Sequence, residues 1–334
     1  MNYRTGIKLF YLIVAIFLVA GSFFLLREAG SKPATGLPAS QEAPPDNLPV
    51  TETSAVKELI FYPRSPAPGD FIIVEAGPLD KDVNAELVID FPGNISRYYH
   101  LGGILYAVVA ISYNTTPGSY NLEVYIDNGE AESSKLSAEF TITDKEFRTS
   151  QFTMPPSRTE GWTAERLAED REKVRLAREN TEPYPLWLER FIIPLEGRVT
   201  SEYGAVRIIN QNPPRRHAGI DIATDEGEPI IAPNRGIVRL AEFLLSGGYT
   251  VIIDHGLDLS STYMHLHTLS VEEGDLVERG DKIGTVGMTG YATGPHLHWE
   301  VNIGQTPVNP EQLMANELLW IPPAYAAEII KRGE

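Results

Sequence analysis

The first long apolar stretch of the chain lies close to its N-terminus. Leu9 to Leu26 reads LFYLIVAIFLVAGSFFLL, eighteen residues without a charge, and Arg4 and Lys8 precede it. A run of this length can cross a bilayer, and a basic flank stays on the cytoplasmic side. The pattern predicts that residues 1–29 form a cytoplasmic N-terminus and a transmembrane anchor, with the later residues extracytoplasmic.

A cleaved signal peptide is the alternative interpretation of the same residues. Ala20-Gly21-Ser22 supplies the small residues that a cleavage site needs, but Phe23 to Leu26 continues the apolar run beyond them. An uncleaved anchor would hold the protein on the cell membrane, whereas cleavage would release a secreted protein. Both interpretations place the rest of the chain outside the cytoplasm.

A Pro- and Ala-rich segment separates the anchor from a region of short alternating runs. Residues 30–55 have the composition of an extended linker. From residue 56 to residue 145, apolar–polar alternation, as in the segment from Tyr120 to Ile126, stands between turn signals such as Pro117-Gly118. About seven short strands in such a segment predict a β-sandwich of immunoglobulin type.

A helical pattern follows within residues 146–190, the predicted linker between two β regions. Residues 163–179 read TAERLAEDREKVRLARE, which are strong helix formers, with Thr163 as the capping residue. The apolar stripe is thin, and prolines end the pattern. We expect a connecting helix that lies on one of the domains. This helix or the β-sandwich is also where an envelope protein partner would bind.

The β pattern returns in residues 191–311, where glycines separate short apolar runs and no long helical period is present. These residues are expected to form one compact all-β domain. The tail at 312–334 contains an apolar run from Leu318 to Ile321, and the sequence does not decide whether it packs on the protein. The chain is therefore predicted to be mainly β, with one connecting helix.

Charge and composition limit which partners the protein can bind and which residues can form a catalytic or metal site. The formal net charge is −17 over 334 residues, which argues against a nucleic acid partner because such partners require a basic face. The chain has no cysteine, which excludes disulfides, thiolate zinc sites and cysteine catalysis. A metal site in this chain has to use other ligands.

Five of the seven histidines fall in three short segments of the last third of the chain. The segments are His217-Ala-Gly-Ile-Asp221, His265-Leu-His267 and His296-Leu-His298. Residues two or four apart on a strand share a face, so each segment is expected to present its pair together. Imidazole and carboxylate ligands with one open position are typical of catalytic zinc. The alternative is that these are separate histidines buried in the core. The presence of Asp221 in the same pattern weakens that alternative.

The sequence around these histidines resembles a known enzyme family. RRHAGIDIA, TYMHL and TGPHLHWEV are similar to the three signature segments of the lysostaphin-type, LytM-like zinc metallopeptidases, metallopeptidase family twenty-three. The resemblance covers roughly residues 190 to 311. It implies that residues 191–311 are an all-β LytM-like peptidase domain with a duplicated hybrid motif.

The resemblance also implies roles for five residues. His217, Asp221 and His298 match the ligands of one Zn²⁺ per chain, and His265 and His296 match the unliganded catalytic histidines. No ligand is missing, which favours an active enzyme.

The family cuts peptide cross-bridges or stem peptides of bacterial peptidoglycan, so the expected function is that of a membrane-anchored zinc metalloendopeptidase with this substrate. The alternative is a non-catalytic peptidoglycan- or partner-binding scaffold or activator of LytM type in cell division or sporulation.

Proton transfer has to be assigned to a histidine, because the chain has no H-E-x-x-H motif. We predict His296 as the general base and His265 as the group that stabilises the oxyanion or shares the proton transfer. His267 is expected at the surface or cleft rim, and His255 is expected to be a structural turn residue. The pattern leaves open whether Arg207 lines the cleft or braces the turn before the first ligand.

Overall fold

The computed structural model describes most of the chain after its N-terminal segment, namely residues 58–79, 84–101, 103–127, 134–153, 159–187, 189–210 and 212–314. The predicted anchor, the linker 30–55 and the tail beyond residue 314 lie outside the described residues. Within them, no helix has the length and apolar character that crossing a membrane requires. They contain one α-helix, α1 (Ala164–Glu179), and are otherwise mostly strands and turns, which confirms the prediction of a mainly β chain.

Residues 58–142 form two antiparallel sheets that share one core. The strands of the first sheet are β1 (Glu58–Tyr62), β2 (Phe71–Gly77), β4 (Gly93–Ile95), β5 (Tyr99–Leu101) and β6 (Ile104–Ile111). The strands of the second are β3 (Asn84–Ile89), β7 (Gly118–Asp127) and β8 (Ser134–Ile142). The alternation seen in the sequence buries Leu122, Val124 and Ile126 of β7 against Val74 and Val109 of the first sheet. The two sheets therefore form a sandwich.

The C-terminal domain is built on one long antiparallel sheet. Its strands, in spatial order, are β10 (Arg198–Ser201), β13 (Gly219–Ala223), β20 (Leu297–Ile303), β17 (Leu259–Leu269), β16 (Gly248–Asp254), β15 (Gly236–Leu244) and β18 (Leu276–Val277). Smaller strands extend this sheet, namely β14 (Pro229–Ile231), β19 (Lys282–Val286) and β21 (Thr306–Val308). Every residue of the central strand β20 is buried, including Trp299. This buried strand provides a rigid base for the side chains that it carries.

The segment between the two β regions packs on the C-terminal domain. Its strand β9 (Thr149–Phe152) pairs in parallel with β11 (Val206–Ile209), which also pairs with β12 (Arg215–Arg216). Helix α1 begins after the predicted cap Thr163, whose side chain accepts a hydrogen bond from the backbone N–H of Arg166. Ala177 of the helix packs on buried side chains of β15 and β16. The predicted connecting helix is confirmed.

The sandwich and the C-terminal domain contact each other through a buried interface. The side chain of Gln312 accepts a hydrogen bond from the Phe71 N–H at 2.7 Å and donates one to the Phe71 carbonyl at 2.9 Å. Phe71 and Val108 of the sandwich belong to the same apolar cluster as Val301 and Val308. Because this cluster crosses the interface, the two β regions stabilise each other.

Candidate metal and catalytic site

Adjacent strands of the long sheet bring three candidate ligands together. Asp221 on β13 lies directly opposite His298 on β20, and His217 precedes β13 by two residues. All three are buried. Gly219 between them allows β13 to approach β20, because a Cβ there would collide with the carbonyl oxygen of Trp299. The glycine of the H-x-G-x-D segment is therefore needed for the close approach of the two strands that carry the ligands.

The ligating atoms of this group form a small triangle. Nε2 of His217 lies 3.0 Å from Oδ1 of Asp221 and 2.9 Å from Nδ1 of His298, and the last two atoms are 2.8 Å apart. Tetrahedral zinc with ligands at about 2.0–2.1 Å would hold them roughly 3.3 Å apart. A small expansion of the triangle would therefore fit a zinc ion, and this group is the candidate metal site among the described residues.

The hydrogen bonds around the triangle determine which nitrogen of each imidazole points toward Asp221. Nδ1 of His217 lies 2.9 Å from the carbonyl oxygen of Glu202, so it is the protonated nitrogen. Nε2 of His298 lies 3.0 Å from Oε1 of Glu300 and donates to that carboxylate. Each ring therefore turns a lone pair toward Asp221. Two lone pairs and a carboxylate that face one another need a cation between them, so the residues fit a metal.

The three candidate ligands shift one another's pKa values. Burial alone would raise the pKa of Asp221, but hydrogen bonds with His217 and His298 outweigh it and hold this pKa well below its usual range. Burial alone would lower the pKa of His298, but hydrogen bonds to Asp221 and Glu300 raise it to about 9. Burial lowers the pKa of His217. The pKa shifts of Asp221 and His298 have one cause in common, because the buried Asp221 carboxylate favours positive charge on the imidazoles that contact it.

Arg207 contacts the carboxylate ligand directly. Its guanidinium binds Oδ2 of Asp221, the oxygen that faces away from the triangle, and donates to Oγ of Ser201 at 2.7 Å. The same side chain also borders the cleft in front of the site. The sequence left open whether Arg207 lines the cleft or braces the turn before the first ligand. In the structure Arg207 lines the cleft and also orients Asp221.

His265 and His296 lie side by side next to the triangle. Their ring centroids are 4.8 Å apart, and Nε2 of His296 lies 3.8 Å from Oδ1 of Asp221. Nδ1 of His265 donates to the Thr289 carbonyl at 2.9 Å, and Nδ1 of His296 donates to the Gly294 carbonyl at 2.8 Å. In its neutral form each ring therefore carries its proton on Nδ1 and leaves Nε2 able to accept one.

Backbone geometry and burial set His265 apart from its neighbours. Its φ of 66° lies in the left-handed region, which non-glycine residues adopt rarely and which is often found at functional sites. Burial and the nearby imidazoles of His296 and His298 lower its pKa to about 3. His265 is consequently neutral at physiological pH.

His265 and His267 differ in exposure, although strict alternation predicts that they share a strand face. A bulge in β17 places three residue steps opposite two in β16, and His265 and Leu266 are buried in succession. His267 is exposed and pairs with Glu226 at 2.7 Å, as expected for a surface role. His255 is fully buried, and its hydrogen bonds to the Arg235 carbonyl and the Ser261 hydroxyl agree with a structural role.

Three groups around the site were missed in the sequence, and for a fourth, Arg207, the role was left open. The Glu202 carbonyl carries no sequence pattern. Glu300 follows His298 by two residues on β20, so strand periodicity gave enough information to place both on one face. Arg178 of α1 binds Glu300 at 2.7 Å across 122 positions of sequence, and no local pattern predicts that contact.

An open cleft of about 500 Å³ leads to the site. One wall is formed by β10 and by β9, which comes from the linker. Tyr291, Thr293 and His296 also line the cleft, and the ring of Trp162 packs on Tyr291 with centroids 5.6 Å apart. The linker therefore contributes to the walls of the cleft.

Known proteins resemble this chain mainly over the C-terminal domain. Residues 215–310 match Peptidase family M23. The chain is 39% identical over 125 residues to an "Uncharacterized metalloprotease" of Buchnera aphidicola, covering 36% of this chain and 33% of that protein. It is 35% identical over 119 residues to the peptidoglycan DD-endopeptidase ShyA of Vibrio cholerae, covering 35% and 28%. The chain spans about a third or less of the length of these curated relatives.

One solved structure is similar over a larger share of the chain. It is the crystal structure of a protein from Pseudomonas aeruginosa assigned to peptidase M23, with 26% sequence identity and a TM-score of 0.52. The similarity covers 75% of this chain and 94% of that one. Because residues 215–310 make up far less than 75% of the chain, the shared fold extends upstream of the family match.

Proposed function

Because residues 215–310 form a domain of peptidase family M23, we propose that this chain is a zinc metalloendopeptidase that hydrolyses peptide bonds of bacterial peptidoglycan. The observation that carries the proposal is the complete triangle of His217, Asp221 and His298 beside two histidines with free Nε2 atoms. A scaffold would not need this arrangement, because binding alone requires no proton acceptor next to a metal site.

His217, Asp221 and His298 would hold the zinc ion. The ion would polarise the scissile carbonyl and lower the pKa of the attacking water. Arg207 keeps Asp221 oriented through its outer oxygen, and the Glu202 carbonyl keeps the lone pair of His217 directed inward. The chain thus supplies three ligands whose orientations are fixed before the substrate binds.

His296 is the proposed general base. Its Nδ1 donates to the Gly294 carbonyl, so the neutral ring has Nε2 free. That atom lies 3.8 Å from Oδ1 of Asp221, close enough to take a proton from a water beside this carboxylate. The protonated ring can then return that proton to the leaving amine. The neutral His265 presents a second acceptor rather than a positive charge, which supports a share in proton transfer more than a direct role toward the oxyanion.

The substrate assignment is supported by the names of relatives and by the cleft. ShyA of Vibrio cholerae is named a peptidoglycan DD-endopeptidase, and the Mpg protein of Neisseria meningitidis, 42% identical over 96 residues, a DD-carboxypeptidase/endopeptidase. These 96 residues are 29% of this chain and 22% of the Neisseria protein. An open cleft walled by strand edges suits an extended peptide, which pairs with backbone groups of such edges. We propose the cross-links or stem peptides of peptidoglycan as substrate.

The proposed function is tested on the protein without its apolar N-terminal segment, residues 30–334. We expect one zinc per chain by elemental analysis and release of soluble peptides from purified peptidoglycan. A chelator should abolish the release, and added zinc should restore it. Stoichiometric zinc without hydrolysis would favour the scaffold interpretation. Hydrolysis that survives complete removal of the metal would contradict the proposed chemistry.

The location of the enzyme is proposed from the apolar segment Leu9–Leu26. We propose a single-pass anchor with the catalytic domain outside the cytoplasm, which would place the cleft next to the cell wall. A reporter that is active only outside the cytoplasm, fused after residue 50, should be active and fractionate with the membrane. The same fusion without residues 9–26 should be inactive. Equal activity of both fusions would contradict the anchor.

The role of the sandwich is a further part of the proposal. Its two antiparallel sheets over one core support an immunoglobulin-like module. Together with α1, it is the surface that we propose for an envelope protein partner.

A further inference from the structure

Helix α1 lies outside the residues that match the peptidase family, yet one of its side chains reaches the metal site. Nη2 of Arg178, in the last turn of the helix, donates to Oε2 of Glu300 at 2.7 Å. The other oxygen of Glu300 accepts from Nε2 of His298 at 3.0 Å. These bonds form a continuous path from the helix to a metal ligand.

All three side chains on this path are excluded from solvent. The side chains of Arg178 and Glu300 are each 10% exposed, and that of His298 is 9% exposed. A carboxylate in such a place is stable only when a cation and hydrogen bonds compensate for its lost hydration. Arginine suits this role because its guanidinium is always charged and forked. Arg178 therefore holds the carboxylate of Glu300 in place beside His298.

The position of Glu300 decides which nitrogen of His298 faces the other two ligands, because Oε1 of Glu300 lies 3.0 Å from Nε2 of His298. A carboxylate at Nε2 favours the tautomer in which Nδ1 is unprotonated, and Nδ1 is the atom that faces Asp221 and His217. Without Arg178, the buried Glu300 would lose its compensating charge, and its hold on His298 would weaken. The ring would then be free to present the wrong nitrogen.

The surroundings keep Arg178 in position. Ala177 packs on Leu240 and Ile252 of the long sheet. Arg97 of the sandwich donates to the Thr181 carbonyl just beyond the helix end at 2.7 Å and also contacts Asp258. The helix end is thus held from both sides, as a positioning group requires.

We propose that Arg178 is a positioning residue that acts through Glu300 on the metal ligand His298, so that the connecting helix is part of the metal site. This inference rests on the metal site of the proposed function. Outer contacts of this kind typically change metal affinity by about 10- to 100-fold.

The test measures zinc affinity by competition with a chromophoric chelator. We expect Arg178→Met, which keeps the aliphatic stem, to bind zinc about 10- to 100-fold more weakly than the wild type. Arg175→Met is the matched control, because Arg175 lies on the same helix but pairs only with the exposed Glu172 and Glu179. Arg239→Met removes a buried pair with Asp254 and controls for lost stability. Both controls should bind zinc like the wild type.

Two further measurements separate positioning from general stabilisation. Adding Arg178→Met to Glu300→Gln should weaken zinc binding no further than Glu300→Gln alone, because both changes act on one path. In the zinc-free protein, at a pH above the His298 pKa of about 9 so that the ring is neutral, nitrogen NMR should show a proton on Nε2 of His298 in the wild type and a mixture of tautomers in Arg178→Met.

The outcomes are distinct. Wild-type zinc affinity in folded Arg178→Met, or full additivity with Glu300→Gln, would overturn the inference while leaving the proposed function intact. A wild-type protein that binds no zinc would instead overturn the proposed function. If Arg178→Met has no cooperative thermal transition, Arg178→Gln replaces it, with the same expected weakening and the same overturning result.

Discussion

Replacing Asp221 by alanine is expected to remove the metal and the activity together. Asp221 supplies one of the three ligating atoms and the only negative charge of the triangle. Without it, the guanidinium of Arg207 would lose its partner and would add an uncompensated positive charge beside two imidazoles. We expect one zinc per wild-type chain after dialysis and almost none in the variant, measured by elemental analysis. Peptidoglycan hydrolysis by the variant should fall below detection.

Asp225 offers a matched control for this change. It is an exposed carboxylate in the turn that follows β13, four residues from Asp221. Asp225→Ala should keep both zinc and activity, because this side chain makes no contact with the triangle. Stoichiometric zinc in Asp221→Ala would show that the metal, if present, is held by other groups, and the ligand set would have to be redrawn.

The local sequence pattern predicted the helices and strands well. It did not predict contacts between residues that are far apart in the sequence. Alternation placed β7 correctly, and the composition of residues 163–179 predicted α1 to within a residue. The parallel pairing of β9 with β11 joins residues more than fifty positions apart, and no periodicity encodes such a pairing. The contact between Arg178 and Glu300 is missing from the sequence prediction for the same reason.

In the site, too, local spacing was predicted from the sequence and contacts between strands were not. The family resemblance picked out the five histidine and aspartate residues that the structure brings together, because their spacing within each segment is local. The bulge in β17 was not predicted, since it depends on how Leu266 pairs with Tyr249 on the neighbouring strand. A second register shift, opposite β19, follows between Leu266 and Thr268, so strict alternation did not predict that His265 is buried while His267 is exposed.

Some residues that line the cleft lie outside the segment that matches the peptidase family, and this affects which fragment should be used in experiments. Thr149 and Ser150 of β9 line it, and Trp162 packs on its rim residue Tyr291. Gln312 and the shared apolar cluster fasten the sandwich to the same domain. A fragment limited to residues 215–310 would lack the β9 wall, α1 and most of the interface. Activity measurements on such a fragment would therefore not describe the site of the whole chain.

The two cleft histidines are expected to be essential for turnover but not for metal binding. Neither His296 nor His265 supplies an atom to the triangle, and each keeps an unprotonated Nε2 next to it. General acid–base groups contribute about 10²–10⁴-fold to rate. We expect His296→Ala to lose activity in this range and His265→Ala to lose a comparable amount, while both retain one zinc per chain. Parallel measurements of bound zinc and peptidoglycan hydrolysis test this.

His267→Ala is the control, because His267 is exposed and pairs only with Glu226 on the surface. Its zinc content and hydrolysis rate should equal those of the wild type. If His296→Ala loses zinc along with activity, its role is structural or that of a ligand, and the assignment as general base fails. If instead His296→Ala keeps both zinc and full activity, His265 is the base. Its neutral ring and free Nε2 already suit it to accept the proton.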